Sequence, residues 1–159
     1  MPVESRLIYW DSCIFIDYFQ RQPDRIATLD SIVRETRDKN ILLVTSIISQ
    51  VEAAFAEGER PPGRLDSEKL AALDAAWNDR DTLLLVDVHQ GIVEEARRIV
   101  RDGAHSARGL RSADAIYLAT AKYVGATSFH TYDERLLRWD GIFFPIAEPG
   151  AERPKRQPQ

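Results

Sequence analysis

Short, uninterrupted apolar runs constrain this chain more than any other feature. Leu7-Ile8-Tyr9-Trp10, Ile41-Leu42-Leu43-Val44 and Leu83-Leu84-Leu85-Val86 contain no polar interruption. A strand with one wet face alternates apolar and polar residues, whereas a continuous run is the mark of a strand covered on both faces. Thr127 to Thr131 reads as a fourth strand and Ile142-Phe143-Phe144 as a fifth. Between the runs lie segments with helical spacing, over 12–20, 24–38, 46–57, 66–78, 90–102, 112–124 and 133–139. Ser12 and Ser46 stand where N-caps are expected, and Gly125 where a helix should stop. Gly58 to Gly63, with Pro61-Pro62, is a break, and Gly103 to Gly109 reads as a loop. Apolar strands alternating with helices predict an α/β fold, with three α/β/α layers around a parallel sheet of four to five strands.

The length suits one domain, expected over 1–148. Residues 149–159 have no apolar period and are expected to form a disordered tail. No apolar run is long enough for a transmembrane helix, and the start of the chain lacks the pattern of a signal peptide. The single cysteine, Cys13, has no partner within the chain for a disulfide, which fits a reducing, cytoplasmic setting. A net charge of −4 argues against holding nucleic acid by bulk charge.

Four carboxylates carry the chemistry. Asp11 ends the first strand, and Asp133 closely follows the fourth. Glu52 and Asp114 lie near the starts of helices, each beside a core-facing stripe: Ile48 and Phe55 for Glu52, Tyr117 and Leu118 for Asp114. Ligands in open parallel sheets bind beyond the carboxyl ends of the strands, where all four acids fall. Two carboxylates about 5 Å apart repel by about 3 kcal/mol at an effective dielectric near 20. Such a group needs a cation or must take up protons. Oxygen ligands without histidine or cysteine favour Mg²⁺ or Mn²⁺ over Zn²⁺. Such an ion suits phosphodiester cleavage. Each acid alone has a structural alternative as a cap, a turn residue or a partner of a helix dipole.

The matching stretches are Tyr9-Trp10-Asp11-Ser12-Cys13-Ile14-Phe15-Ile16-Asp17, Thr45-Ser46 through Val51-Glu52-Ala53-Ala54, Ser112-Ala113-Asp114-Ala115-Ile116-Tyr117-Leu118-Ala119-Thr120-Ala121, and Thr131-Tyr132-Asp133-Glu134-Arg135-Leu136. In order and spacing they resemble the PIN-domain ribonucleases, most closely the VapC-type toxins of toxin–antitoxin pairs. The resemblance runs over about 7–146, and its first and third stretches are the most specific. It implies an α/β/α PIN-like fold and Mg²⁺- or Mn²⁺-dependent endonucleolytic cleavage of single-stranded RNA by water. It implies Asp11, Glu52, Asp114 and Asp133 as catalytic and metal-site acids, with Ser12 and Thr131 as supporting hydroxyls. It also implies a homodimer and an inhibitory antitoxin partner. The double-proline loop and the tail depart from the family's core pattern. Of the acids that some relatives carry beyond the fourth, only Glu134 has a place here.

Arg108 and Arg111, in the glycine-containing loop before Asp114, are candidate RNA contacts, with a plain solvated loop as the alternative. Asp17 is read as a helix-surface acid, His130 as an ordinary strand residue and Cys13 as a small packing residue. Trp10, Trp77 and Trp139 are read as core or interface residues. Other phosphoryl-transfer domains fit worse. An aspartyl-phosphate phosphatase needs an aspartate where Cys13 stands, and Gly-x-Gly-x-x-Gly is absent after the first strand. A PIN-like RNA- or protein-binding module with weak catalysis is the alternative function.

Overall fold

The computed structural model describes residues 5–38, 40–53 and 67–151. Among these residues, five strands form one parallel sheet: β1 (Arg6–Trp10), β2 (Ile41–Ser46), β3 (Leu83–Val86), β4 (Ser128–His130) and β5 (Ile146–Ala147). Their spatial order is β3-β2-β1-β4-β5, and every neighbouring pair runs parallel. The chain builds outward from β1 to β3, then crosses back to lay β4 on the other side of β1. This reversal places the carboxyl ends of β1 and β4 side by side, with Trp10 in register with His130. Crevices for ligands form at such switch points.

Seven helices join the strands among the described residues: α1 (Ser12–Phe19), α2 (Ile26–Arg37), α3 (Ser49–Ala53), α4 (Ser67–Asn78), α5 (Gln90–His105), α6 (Ser112–Val124) and α7 (Glu134–Leu137). The alternation of β1 sorts the layers. Ile8 and Trp10 point into one core with Ile14, Phe15, Leu29, Ile32 and Trp77 from α1, α2 and α4. Tyr9 points into the other, with Ile92, Ile99, Tyr117, Leu118, Phe129 and Trp139. Each such side chain, fully buried, contributes about 1.5–3 kcal/mol. The three-layer expectation therefore holds, and the three tryptophans are core residues, each under a tenth exposed.

Local details depart from the sequence-based expectations. The cap of α1 is Asp11, whose carboxylate accepts from the Ser12 N–H, while Ser12 is the first helical residue. Ser46 ends β2, and its hydroxyl accepts weakly from Ile48 N at 3.4 Å. The helix after it is described over Ser49–Ala53. Its expected continuation to 57, the break at 58–63 and the end of the tail (152–159) lie outside the described residues. The tail's first residues are described: Ala151 N donates to Glu148 O in a turn that seats Gly150 against Thr28.

Helix α5 continues through Gly103 to His105, where a loop was expected. A Cβ at 103 would stand 2.5 Å from the Arg108 carbonyl oxygen, so glycine is there for a close approach between chain segments. Arg108 N seals it by donating to Gly103 O at 2.8 Å. The fifth strand is Ile146–Ala147 rather than 142–144. Gly141, at φ +80°, donates to Phe144 O, and this ties 142–144 into a turn. The rings of Phe143 and Phe144 pack against Trp139 and Phe129 instead. Asp140 then accepts from Ile146 N at 2.8 Å and sets the start of β5.

Candidate active site

The site grows from the paired ends of β1 and β4. The backbone N–H of Asp11 donates to His130 O, which brings Asp11 beside Thr131. Thr131 then donates its hydroxyl to Asp11 Oδ2 at 2.8 Å, while Ser12 N donates to Oδ1 at 2.8 Å. The Cys13 thiol adds a third, weaker contact to Oδ2 at 3.4 Å. Asp11 is buried, and loss of hydration pushes its carboxyl up to about 6 against the bonds from Thr131, Cys13 and Ser12. The Asp114 charge opposes its ionisation as well. Burial, with the charge of Asp11 behind it, pushes the Cys13 thiol up too, so the thiol stays protonated and serves as a donor.

Three further acids reach this rim by different routes. Asp114 lies in the first turn of α6 and is buried, and loss of water raises its carboxyl against the pull of Arg111. Asp133 caps α7 by accepting from Arg135 N at 2.9 Å. Its own N–H donates to Thr131 Oγ1 at 3.0 Å, so one hydroxyl links Asp11 to the Asp133 backbone. Burial opposes the charge of Asp133, but the bonds from Arg135 and the nearby Arg111 outweigh it and lower its carboxyl. Glu52, on α3, accepts from the Ser12 hydroxyl at 2.8 Å. The supporting hydroxyls are thus connectors: Ser12 joins Asp11 to Glu52, and Thr131 joins Asp11 to Asp133.

Arg111 completes the group. Its Nε lies 3.3 Å from Asp114 Oδ2 and its Nη2 lies 3.6 Å from Asp133 Oδ2, so it bridges two of the acids. Arg108 does not join them, and its backbone holds the α5–α6 connection. Glu134 is exposed on α7. Asp17 pairs with Arg25, whose guanidinium lies over the Tyr132 ring. His130 turns to the other layer, where its Nδ1 accepts from the Trp10 indole and the ring lines a cavity of about 450 Å³ beside α2.

The structure therefore gathers all four acids into one bonded neighbourhood. Among the described residues, however, no three histidine, cysteine or carboxylate side chains converge closely enough to share one ion. Arginines and hydroxyls stand between the acids and answer part of the charge that the sequence assigned wholly to a dication. Two participants were not singled out by the motif spacing. Arg135 is two residues beyond Asp133, a separation too common on surfaces to stand out. Tyr117 is three residues from Asp114 on the same helix face. It is fully buried, and its hydroxyl sits near Glu52 and Ser49 without hydrogen-bond geometry to either. Burial, then the Glu52 charge, pushes that hydroxyl's pKa up.

The PIN domain family model matches residues 8–142. The chain belongs to the PIN domain family. Its fold is similar to a chain of the VapBC2 complex of Rickettsia felis bound to a DNA fragment from its promoter, at a TM-score of 0.66 and 12% identity over 89% of this chain and 98% of that one. VapC20 of Mycobacterium tuberculosis, a toxin that cleaves the sarcin–ricin loop, gives 0.61 and 17% over 82% and 93%. FitAcB of Neisseria gonorrhoeae gives 0.61 and 18% over 89% and 97%. No curated protein sequence matches the chain. At these identities the PIN fold is what the likeness carries. Among the described residues no helix is long and apolar enough to cross a membrane.

Proposed function

We propose that this PIN domain is a divalent-metal-dependent endoribonuclease that hydrolyses phosphodiester bonds of single-stranded RNA, and that it is the toxin of a type II toxin–antitoxin pair. The supporting observation is the meeting of Asp11, Asp114, Asp133 and Glu52 around the ends of β1 and β4, through Ser12, Thr131 and Arg111. The donor chemistry fits a hard dication: the acids and their bridging hydroxyls offer oxygen, and the one nearby sulfur is a protonated thiol. Asp11, Asp114, Asp133 and Glu52 would hold Mg²⁺ or Mn²⁺. When bound, that ion supplies charge stabilisation at the phosphoryl oxygens and a more acidic water.

The residues of the chain do the rest. Thr131 and the Ser12 N–H fix the two oxygens of Asp11, so a single orientation is set before substrate arrives. Ser12 holds Glu52 in reach of the same space. Water attacks phosphorus and loses a proton to a carboxylate of the rim, and the ribose oxygen whose bond to phosphorus breaks leaves as a hydroxyl by taking a proton from solvent. Burial raises the carboxyls of Asp11 and Asp114, which makes each a stronger base than an ordinary carboxylate until an ion is held there. Arg108, in the loop before α6, is the candidate phosphate contact, whereas Arg111 must first leave its two acids.

The partners proposed are RNA, a cognate antitoxin and a second copy of the chain, in the cytoplasm. The likeness in fold to VapC20, a toxin, and to a chain of the two-component VapBC2 complex supports the antitoxin partner. A second reading, a PIN-like RNA- or protein-binding module with weak catalysis, is favoured by one observation: arginine already answers two of the acids. Incubating the purified chain with single-stranded RNA in Mg²⁺, Mn²⁺ or EDTA separates the two. Cleavage in either metal that EDTA and Asp114→Asn each abolish is the expected result. Intact RNA in all three conditions would overturn the nuclease reading.

A further inference from the structure

We propose that Arg111 is a built-in counter-ion of the acidic rim, one that a divalent cation must displace from Asp114 and Asp133 before it can be held there. This rests on the metal-dependent reading above and adds a competitor to it from within the chain. Arg111 occupies the position just before α6, with an extended backbone (ψ 159°) and no side-chain capping bond. Its side chain instead reaches Asp114, three residues on, and Asp133, from another part of the chain. One guanidinium therefore spans two acids on different elements. Among the described residues it is the only cation paired with Asp114.

Arg135 behaves differently. It bonds only Asp133, through N, Nε and Nη2, and its backbone bond is the cap of α7. It secures one acid locally. Arg111 neutralises the gap between two.

Three properties suit displacement. The Arg111 side chain is 63% exposed, so it can swing into water at little packing cost. Its contacts, at 3.3 and 3.6 Å, are long for charge-assisted bonds. An ion that touches carboxylate oxygens directly at about 2.0–2.1 Å, as Mg²⁺ does, brings two charges much closer than a guanidinium can. The competitor still has an effect, because apparent affinity falls by the fraction of molecules whose acids are free. Counted only at the strength of exposed ion pairs, the two contacts correspond to a bias of roughly two- to thirtyfold toward the bridged arrangement.

The test is Mn²⁺ binding to the EDTA-stripped full-length protein, read from the electron paramagnetic resonance of free Mn²⁺ at low salt. It compares the native chain with Arg111→Met, Arg111→Lys and Asp114→Asn. Arg111→Met should bind Mn²⁺ about tenfold more tightly than the native chain, Arg111→Lys should fall between, and Asp114→Asn should bind weakly. The gap between native and Arg111→Met should shrink in high salt, which screens exposed pairs. Melting curves in EDTA check that each variant is folded. Native binding with no tightening in Arg111→Met overturns the counter-ion role and leaves the metal reading standing. No binding by the native chain or by Arg111→Met overturns both. Binding by Arg111→Met alone supports the counter-ion role.

Discussion

Asp11→Asn should make the metal-free protein more stable at neutral pH while abolishing cleavage. The reason is the cost of a buried charge. Burial raises the Asp11 carboxyl to about 6 in the folded chain, against 3.8 for a free aspartate side chain. The folded state therefore holds its proton more tightly than the unfolded state. The resulting stability is fully present below 3.8 and is lost as pH rises through 6. Above that the penalty is complete, at about 3 kcal/mol from 1.36 kcal/mol per pKa unit. The bonds from Thr131, Cys13 and Ser12 are already inside this balance, because they favour the ionised form and burial still wins.

Asparagine has nearly the same shape and cannot ionise, so it mimics the protonated carboxyl. Melting curves in EDTA at pH 7.5 should place Asp11→Asn above the native chain by about 6–12 °C, at about 2–4 °C per kcal/mol for a chain of this size. At pH 4.5 the gap should fall to about a third, because the native carboxyl is then mostly protonated in the folded state while the unfolded one is still ionised. Mn²⁺ should raise the melting temperature of the native chain and leave the variant nearly unmoved. A variant less stable than the native chain at pH 7.5, or a gap that does not change with pH, would refute the claim that loss of hydration dominates at Asp11.

Gly103→Ala should destabilise the chain by about 1–3 kcal/mol, because the new methyl meets the Arg108 carbonyl at 2.5 Å with Trp139 on its other side; urea unfolding measures this, and an unchanged midpoint would show that the α5–α6 connection relaxes. Tyr117→Phe should leave stability unchanged or raise it by up to about 1 kcal/mol, since a buried hydroxyl without a hydrogen bond costs its hydration and returns nothing. A loss of more than about 1 kcal/mol in urea unfolding would mean that the hydroxyl bonds Glu52 or Ser49 in solution.

What the sequence made legible was whatever a residue determines through its own neighbours. The apolar runs at 7–10, 41–44 and 83–86 became three of the strands; the first two are buried or half-buried throughout, while the third lies at the sheet edge with Leu84 exposed. The four acids were placed at the strand ends and helix starts by position alone, and the β1–β4 register then brought Asp11 beside Thr131. The errors lie where a contact in three dimensions, and not local composition, decides. The composition of 103–109 reads as a loop and does not show that the chain folds back there to set the Arg108 carbonyl against Gly103. Ile142 to Phe144 has the composition of a strand, and only the packing of its rings on Trp139 and Phe129 turns it aside.

The charge balance is the instructive case. Acids at one edge imply repulsion, and repulsion implies a cation, but the sequence does not say which cation. Arg111 stands three residues before Asp114, and Arg135 two after Asp133, spacings that on a plain surface carry little weight. They matter here because Asp114 is only 3% exposed, so it is denied the water that would otherwise screen it, and a neighbouring guanidinium becomes its nearest compensation. Burial, which local sequence conveys least well for polar residues, thus turns an ordinary arginine into part of the site. The same burial would strengthen any dication that replaces it, so the protein's own cation and the proposed metal draw on one source of affinity and must compete for it.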